Sequence, residues 1–106
     1  MTVIHIVLTK LNGQQPADWN ADISATGQAM VSKIPGLLRC EVGPPLESTK
    51  WRAQGWDQML YAELESEEAL KNYADHPVHV DRHFTSSYKN KTVPFTTDVL
   101  AFDLVV

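Results

Sequence analysis

The stretch from Thr2 to Lys10 sets the strongest limit on how this chain can fold. It is rich in β-branched residues and reads as a strand. From Val3 to Leu8 only His5 interrupts its apolar character. Side chains alternate between the two faces of a strand. Ile4, Ile6 and Leu8 therefore share one face, and Val3 and Val7 share the other. A strand apolar on both faces needs cover on both. With 106 residues the chain is read as a single domain. Its own helices can cover one face of a sheet; the other calls for a second subunit. A domain this size buries only about two-thirds of the surface that its unfolded chain exposes, so association also adds needed burial.

The rest of the chain supplies the elements for such a sheet. Leu11 to Pro16 is a polar turn, and a helix is expected over Ala17 to Lys33, with Trp19, Ile23, Met30 and Ile34 on one side. Pro16 suits its start and Pro35-Gly36 its stop. Leu37 to Gly43 reads as a second strand, followed by a polar loop to about Gln54 and a third strand over Gly55 to Glu65. Ser66 caps a second helix that runs to Ala74, with Glu67 and Glu68 favourably placed in its first turn. His76-Pro77 interrupts it, and a further helix is expected from Pro77 to Tyr88. After a connector at Val93-Pro94, Phe95 to Val106 is the last strand. No internal repeat or low-complexity segment appears. The order βαββαβ predicts a ferredoxin-like α+β domain: an antiparallel sheet with helices on one face. Two such sheets packed face to face form a dimeric α/β barrel with isologous contacts.

Charge and cysteine content narrow the partners. The formal net charge is −4 and no cluster of Lys and Arg occurs, so neither a nucleic-acid-tracking surface nor a membrane-surface helix is expected. Cys40 is the single cysteine; it allows no internal disulfide and no cysteine-based zinc site, and it reads as a small buried hydrophobe. The run after Met1 is too short to span a bilayer and lacks a basic leader. The expected location is cytoplasmic.

Chemistry can be sought in four histidines, of which His76, His79 and His83 lie close together. On a helix these three project within roughly 60° of one another. His5 is the fourth, and Tyr73 stands just before the helix break. Histidine titrates near neutrality and suits a general base with a tyrosine as hydrogen-bond partner. A second reading makes the histidines transition-metal ligands, backed by Asp75 and Asp81, although their spacing matches no zinc pattern. Plain structural accounts exist for three of them: His76 as a helix N-cap or a turn hydrogen-bonding residue before Pro77, His83 as a solvated helix residue, His5 as a satisfied core histidine. Trp19, Trp56 and Tyr88 read as packing residues, Trp51 as a lid or dimer contact, and Asp57 as a turn or capping residue. There is no phosphate-binding glycine loop, nucleophile elbow or paired-carboxylate motif.

Val3-Ile4-His5-Ile6-Val7, Ile34-Pro35-Gly36, Val42-Gly43, Gly55-Trp56-Asp57 and Tyr73-Ala74-Asp75-His76-Pro77-Val78-His79-Val80 together resemble the stress-responsive A/B-barrel (Dabb) family over nearly the whole chain. The resemblance implies a barrel-shaped homodimer. The family includes heat-stable stress proteins and a polyketide cyclase that closes a linear chain into an aromatic acid. It implies catalytic roles for Tyr73 and His79, and a pocket role for His5. A further pocket histidine of that enzyme falls at Gln58, a departure. Pocket aromatics of the first helix fall at Ser24 and Gly27, small residues expected to enlarge a cavity. Some relatives hold a cation near the end of the first helix, which implies Mg²⁺ on the backbone carbonyls of Val31, Ile34 and Leu37. The expected function is a polyketide cyclase-like enzyme or related lyase that needs no cofactor and binds a small-molecule ligand. The alternative is a non-enzymatic stress-responsive or small-ligand-binding homodimer.

Overall fold

The computed structural model describes residues 2–76 and 91–106. Among the described residues four strands, β1 (Val3–Leu11), β2 (Leu37–Gly43), β3 (Gln58–Leu64) and β4 (Thr96–Val105), and two α-helices, α1 (Trp19–Met30) and α2 (Glu67–Asp75), follow one another as β1-α1-β2-β3-α2-β4. The strands form an antiparallel sheet in the order β2-β3-β1-β4. This is the ferredoxin-like arrangement expected from the element order. The helix expected over 77–88, with His79, His83 and Tyr88, lies outside the described residues.

Register assigns the two sheet faces. Val3, His5, Val7 and Thr9 of β1 stand opposite Leu64, Ala62, Leu60 and Gln58 of β3. This row is the helix-covered face. Ile23 and Met30 of α1, Ile34 after it, Cys40 and Val42 of β2, and Ala69 and Tyr73 of α2 pack with it as the core. On the other side Ile4, Ile6 and Leu8 stand beside Met59 and Tyr61 of β3 and Leu100, Phe102 and Leu104 of β4. Among the described residues no helix covers this face, and Phe102 is 64% exposed. Within one subunit the final strand is an exposed edge, with Leu104, Val105 and Val106 all in solvent.

Element ends differ from expectation for local reasons. α1 stops at Met30 and the chain runs through turns to Gly36, because the residue before Pro35 is driven out of helical geometry and Gly36 turns with φ +84°. The loop after β2 contains a 3₁₀ helix, Glu47–Ala53, with no buried residue, so no apolar period could announce it. β3 begins at Gln58, not Gly55, because Gln54 and Gly55 both have positive φ and turn the chain first. Asp57 has the expected turn role: its Oδ2 accepts from Leu11 N at 2.9 Å, where the β1–β4 register shifts. Ser66 caps α2 as expected, its Oγ accepting from Ala69 N at 3.0 Å. His76 closes the C-terminus of α2 with a turn hydrogen bond, its N–H donating to Tyr73 O; the helix it was expected to cap lies outside the described residues. Among the described residues no helix is long and apolar enough to cross a membrane.

Candidate active site

The helix-covered face of the sheet carries two polar interruptions side by side. His5 lies on β1 and Asp103 on β4, directly opposite in register. His5 Nδ1 is 2.5 Å from Asp103 Oδ1. A carboxylate only accepts, so this contact fixes Nδ1 as the donor and leaves Nε2 as the nitrogen that can accept from a ligand when the ring is neutral. The His5 side chain is 14% exposed and that of Asp103 48%, so the pair sits at the margin of the core and reaches solvent through its acid.

Tyr73 joins them from α2. Its ring meets the His5 ring edge-on, with centroids 5.6 Å apart and planes at 66°. Tyr73 is buried among core residues. The helix positions it because Ala69 and Tyr73 fall on one side at i, i+4 spacing, and because the Ser66 cap fixes where that helix begins. The constellation is therefore Asp103–His5–Tyr73: an acid that orients an imidazole, and a phenol beside it.

The other residues assigned from sequence fall in different places. Gln58 shares the face with His5, but four strand positions away, about 13 Å along the sheet. It is buried, and neither amide atom has a hydrogen-bond partner among the described residues. Ser24 is half-buried on α1. Gly27 does not enlarge a cavity: a Cβ there would lie 2.7 Å from Val42 Cγ2 and 3.5 Å from Cys40 Sγ. Its missing side chain lets α1 approach β2 closely, and the space is filled by Val42. His79 lies outside the described residues. Among the described residues no group of three His, Cys, Asp or Glu is arranged to hold a metal. Val31, Ile34 and Leu37 follow one another through the turns after α1, where Ile34 O accepts from Leu37 N at 3.2 Å.

Asp103 is the functional group that sequence reading missed. A signal for it existed. Leu100 to Val106 is apolar except for Asp103, as Val3 to Leu8 is apolar except for His5, and two lone polar residues in neighbouring strands invite pairing. Burial pushes the Cys40 thiol up to about 12, helped by the nearby Glu41 charge, so this cysteine is no nucleophile.

Residues 3–106 match the model of the stress responsive A/B barrel domain. Among curated proteins none matches the chain. Similar solved structures include a dimeric ferredoxin-like protein from Thermobifida fusca, 23% identical, covering 100% of this chain and 92% of that one with a TM-score of 0.77. A hydroxynitrile lyase from Passiflora edulis is 16% identical, with 99% and 93% coverage and a TM-score of 0.76. A cofactor-independent oxygenase from Streptomyces nogalater is 13% identical, with 99% and 92% coverage and a TM-score of 0.67. At such identities the structures establish a shared fold. The family match covers almost the entire chain, and the protein belongs to the stress responsive A/B barrel family.

Proposed function

We propose that this stress responsive A/B barrel protein is a cytoplasmic homodimer that works as a cofactor-independent cyclase or related lyase on a small polyketide-like substrate. The observation that carries the proposal is the Asp103–His5–Tyr73 constellation. An apolar sheet face has no structural need for a histidine held by an acid against a tyrosine. Intramolecular aldol closure requires removal of a proton from a carbon α to a carbonyl, attack of that carbon on a second carbonyl, and a proton for the resulting alkoxide. His79, six residues beyond Tyr73, takes the α-proton in this scheme, and the Tyr73 hydroxyl donates to the developing oxyanion. His5, oriented by Asp103, and Gln58 hold substrate oxygens. Holding a flexible chain curled lowers the barrier further.

The dimer reading rests on the uncovered apolar face around Ile4, Ile6, Leu100, Phe102 and Leu104, and on the description of the Thermobifida fusca neighbour as dimeric. The turns after α1 are the proposed seat of a structural Mg²⁺, on the carbonyls of Val31, Ile34 and Leu37. The last turn of α1 carries no basic side chain to compete for them.

One observation favours a non-enzymatic homodimer instead: Tyr73 is only 1% exposed and belongs to the core. Thermal shift and native mass spectrometry with linear polyketide precursors, aromatic polyketides and phenolic acids separate the two readings. On the enzyme reading, a compound stabilises the wild-type dimer, is turned over, and loses turnover in Tyr73→Phe and His79→Ala with far-UV circular dichroism unchanged. Undiminished turnover in both variants would refute the acid–base assignment. Variants that merely melt earlier, with no compound bound by wild type, would establish the structural dimer.

A further inference from the structure

Gln58 is buried on the helix-covered face, 3% exposed, and stands opposite Thr9. A glutamine side chain carries two N–H donors and one acceptor oxygen. Here neither Nε2 nor Oε1 has a hydrogen-bond partner among the described residues. A polar group left unpaired away from water lowers stability, and native proteins pair nearly all of them. An apolar side chain of the same length would fill the position without that cost. An amide kept there fits a binding group, because stability is commonly given up where a ligand supplies the missing partner.

The same face shows where a ligand would lie. Register sets Val7 beside Ala101 and Thr9 beside Val99, and so leads from the row of His5 and Asp103 to the row of Gln58. Toward β4 this face is open: Val99 is 56% exposed, the Asp103 side chain is 48% exposed, and Ala101 between them is exposed as well. Val7, Ala101 and Val99 thus form an apolar strip with a histidine–carboxylate pair at one end and an amide at the other. His5 and Gln58 lie four strand positions apart, about 13 Å. A hydrogen bond of about 3 Å at each end leaves roughly 7 Å between two ligand oxygens. We infer, resting on the proposed use of the His5 site, that Gln58 is a specificity-determining residue that binds an oxygen at the far end of a flat substrate whose near end meets His5. The substrate class is a fused two-ring aromatic with an oxygen at each end, or the linear chain that closes into one.

Isothermal titration of the full chain with naphthalene-2,6-diol and with 2-naphthol isolates the far-end contact, because the two compounds differ by one hydroxyl. Wild type should prefer the diol about tenfold, the scale of one hydrogen bond to a buried group that is otherwise unpaired. Gln58→Met, similar in length and without the amide, should bring the two compounds to equal affinity and leave 2-naphthol binding unchanged. Without ligand, Gln58→Met should melt several degrees above wild type, because it removes an unpaired buried amide. Gln58→Leu, a second apolar replacement, should show the same two effects. His5→Phe should weaken both compounds by the same factor. Three results would overturn the inference: equal binding of the two compounds by wild type, melting of both Gln58 variants below wild type, or binding that ignores His5→Phe. The second would mean that the amide serves the fold. A diol preference that depends on Gln58, in a protein that turns over none of the polyketide precursors, would uphold the role of Gln58 and strike the cyclase reading alone.

Discussion

Replacing Gly27 by alanine puts the packing of α1 on β2 to a quantitative test. An exposed helical glycine replaced by alanine gains about 1 kcal/mol of helix propensity. Gly27 is buried, however, and the added methyl would stand 2.7 Å from Val42 Cγ2. That atom belongs to a β-branched side chain with little χ1 freedom at a position 6% exposed, so it does not yield easily. Overpacking of this kind costs about 1–3 kcal/mol. Taking about 2 against a propensity gain of about 1, Gly27→Ala should destabilise by about 1 kcal/mol, a fall in Tm of roughly 4–8 °C for a domain near this size. In a Val42→Ala background the obstructing methyl is gone, and Gly27→Ala should become stabilising by up to about 1 kcal/mol. The sign reversal is the observable, and the coupling in the double-mutant cycle should approach 2 kcal/mol. Urea unfolding at one fixed protein concentration measures all four proteins without confusing stability with association. Stabilisation by Gly27→Ala in the otherwise native protein would refute the reasoning, because it would mean that open space and not Val42 faces this glycine.

Two further outcomes follow from the same structure. Burial raises the Cys40 pKa from 9.0 to about 12, so at pH 8 the native thiol should hold about a thousandfold less thiolate than an unhindered one and label with a disulfide reagent only after unfolding in urea. Because the folded pKa is the higher one, this thiol favours the folded state below pH 9, and that contribution declines as pH rises from 9 toward 12; fast native labelling at pH 8 would contradict the burial. Exhaustive treatment with a chelator should lower Tm if Mg²⁺ occupies the turns after α1, and added Mg²⁺ should restore it; an unchanged Tm would remove that site.

The elements that sequence reading placed well are those whose signal is local. Leu37–Gly43 has the expected bounds, because Pro35-Gly36 and Gly43-Pro44 bracket it. Ser66 announces α2 because a hydroxyl three residues before Ala69 meets an unpaired helix N–H wherever that helix starts. The apolar character of β1 on both faces correctly implied a face left bare within one subunit. What failed was where signals compete. Trp56 extends the apolar signal of β3 toward Gly55 in sequence, yet the backbone turn at Gln54 and Gly55 keeps it and Asp57 out of the strand. The 3₁₀ helix Glu47–Ala53 buries nothing, and a segment that buries nothing leaves no pattern.

The site was harder to read because it is made by register, and register is a property of strand pairs. His5 stood out in its own strand. Nothing local says that Asp103, ninety-eight residues away, shares its row; a slip of one residue in β4 would turn that carboxylate to the opposite face. The same parity rule separates the candidate site from the face proposed to meet a second copy of the chain. Leu8 is three positions from His5, an odd number, so Leu8 and its cross-strand neighbour Met59 must lie on the far side of the sheet from Tyr73. Gly27 shows the limit of reading volume from residue size alone. A small residue opens space only when its neighbours leave the space empty, and here the neighbour is Val42, a residue whose alternating partner positions in β2 and β3 make it part of the buried row. Residue size in a sequence therefore sets how closely two elements can approach, and the register of the facing strand decides whether that approach makes a pocket or closes one.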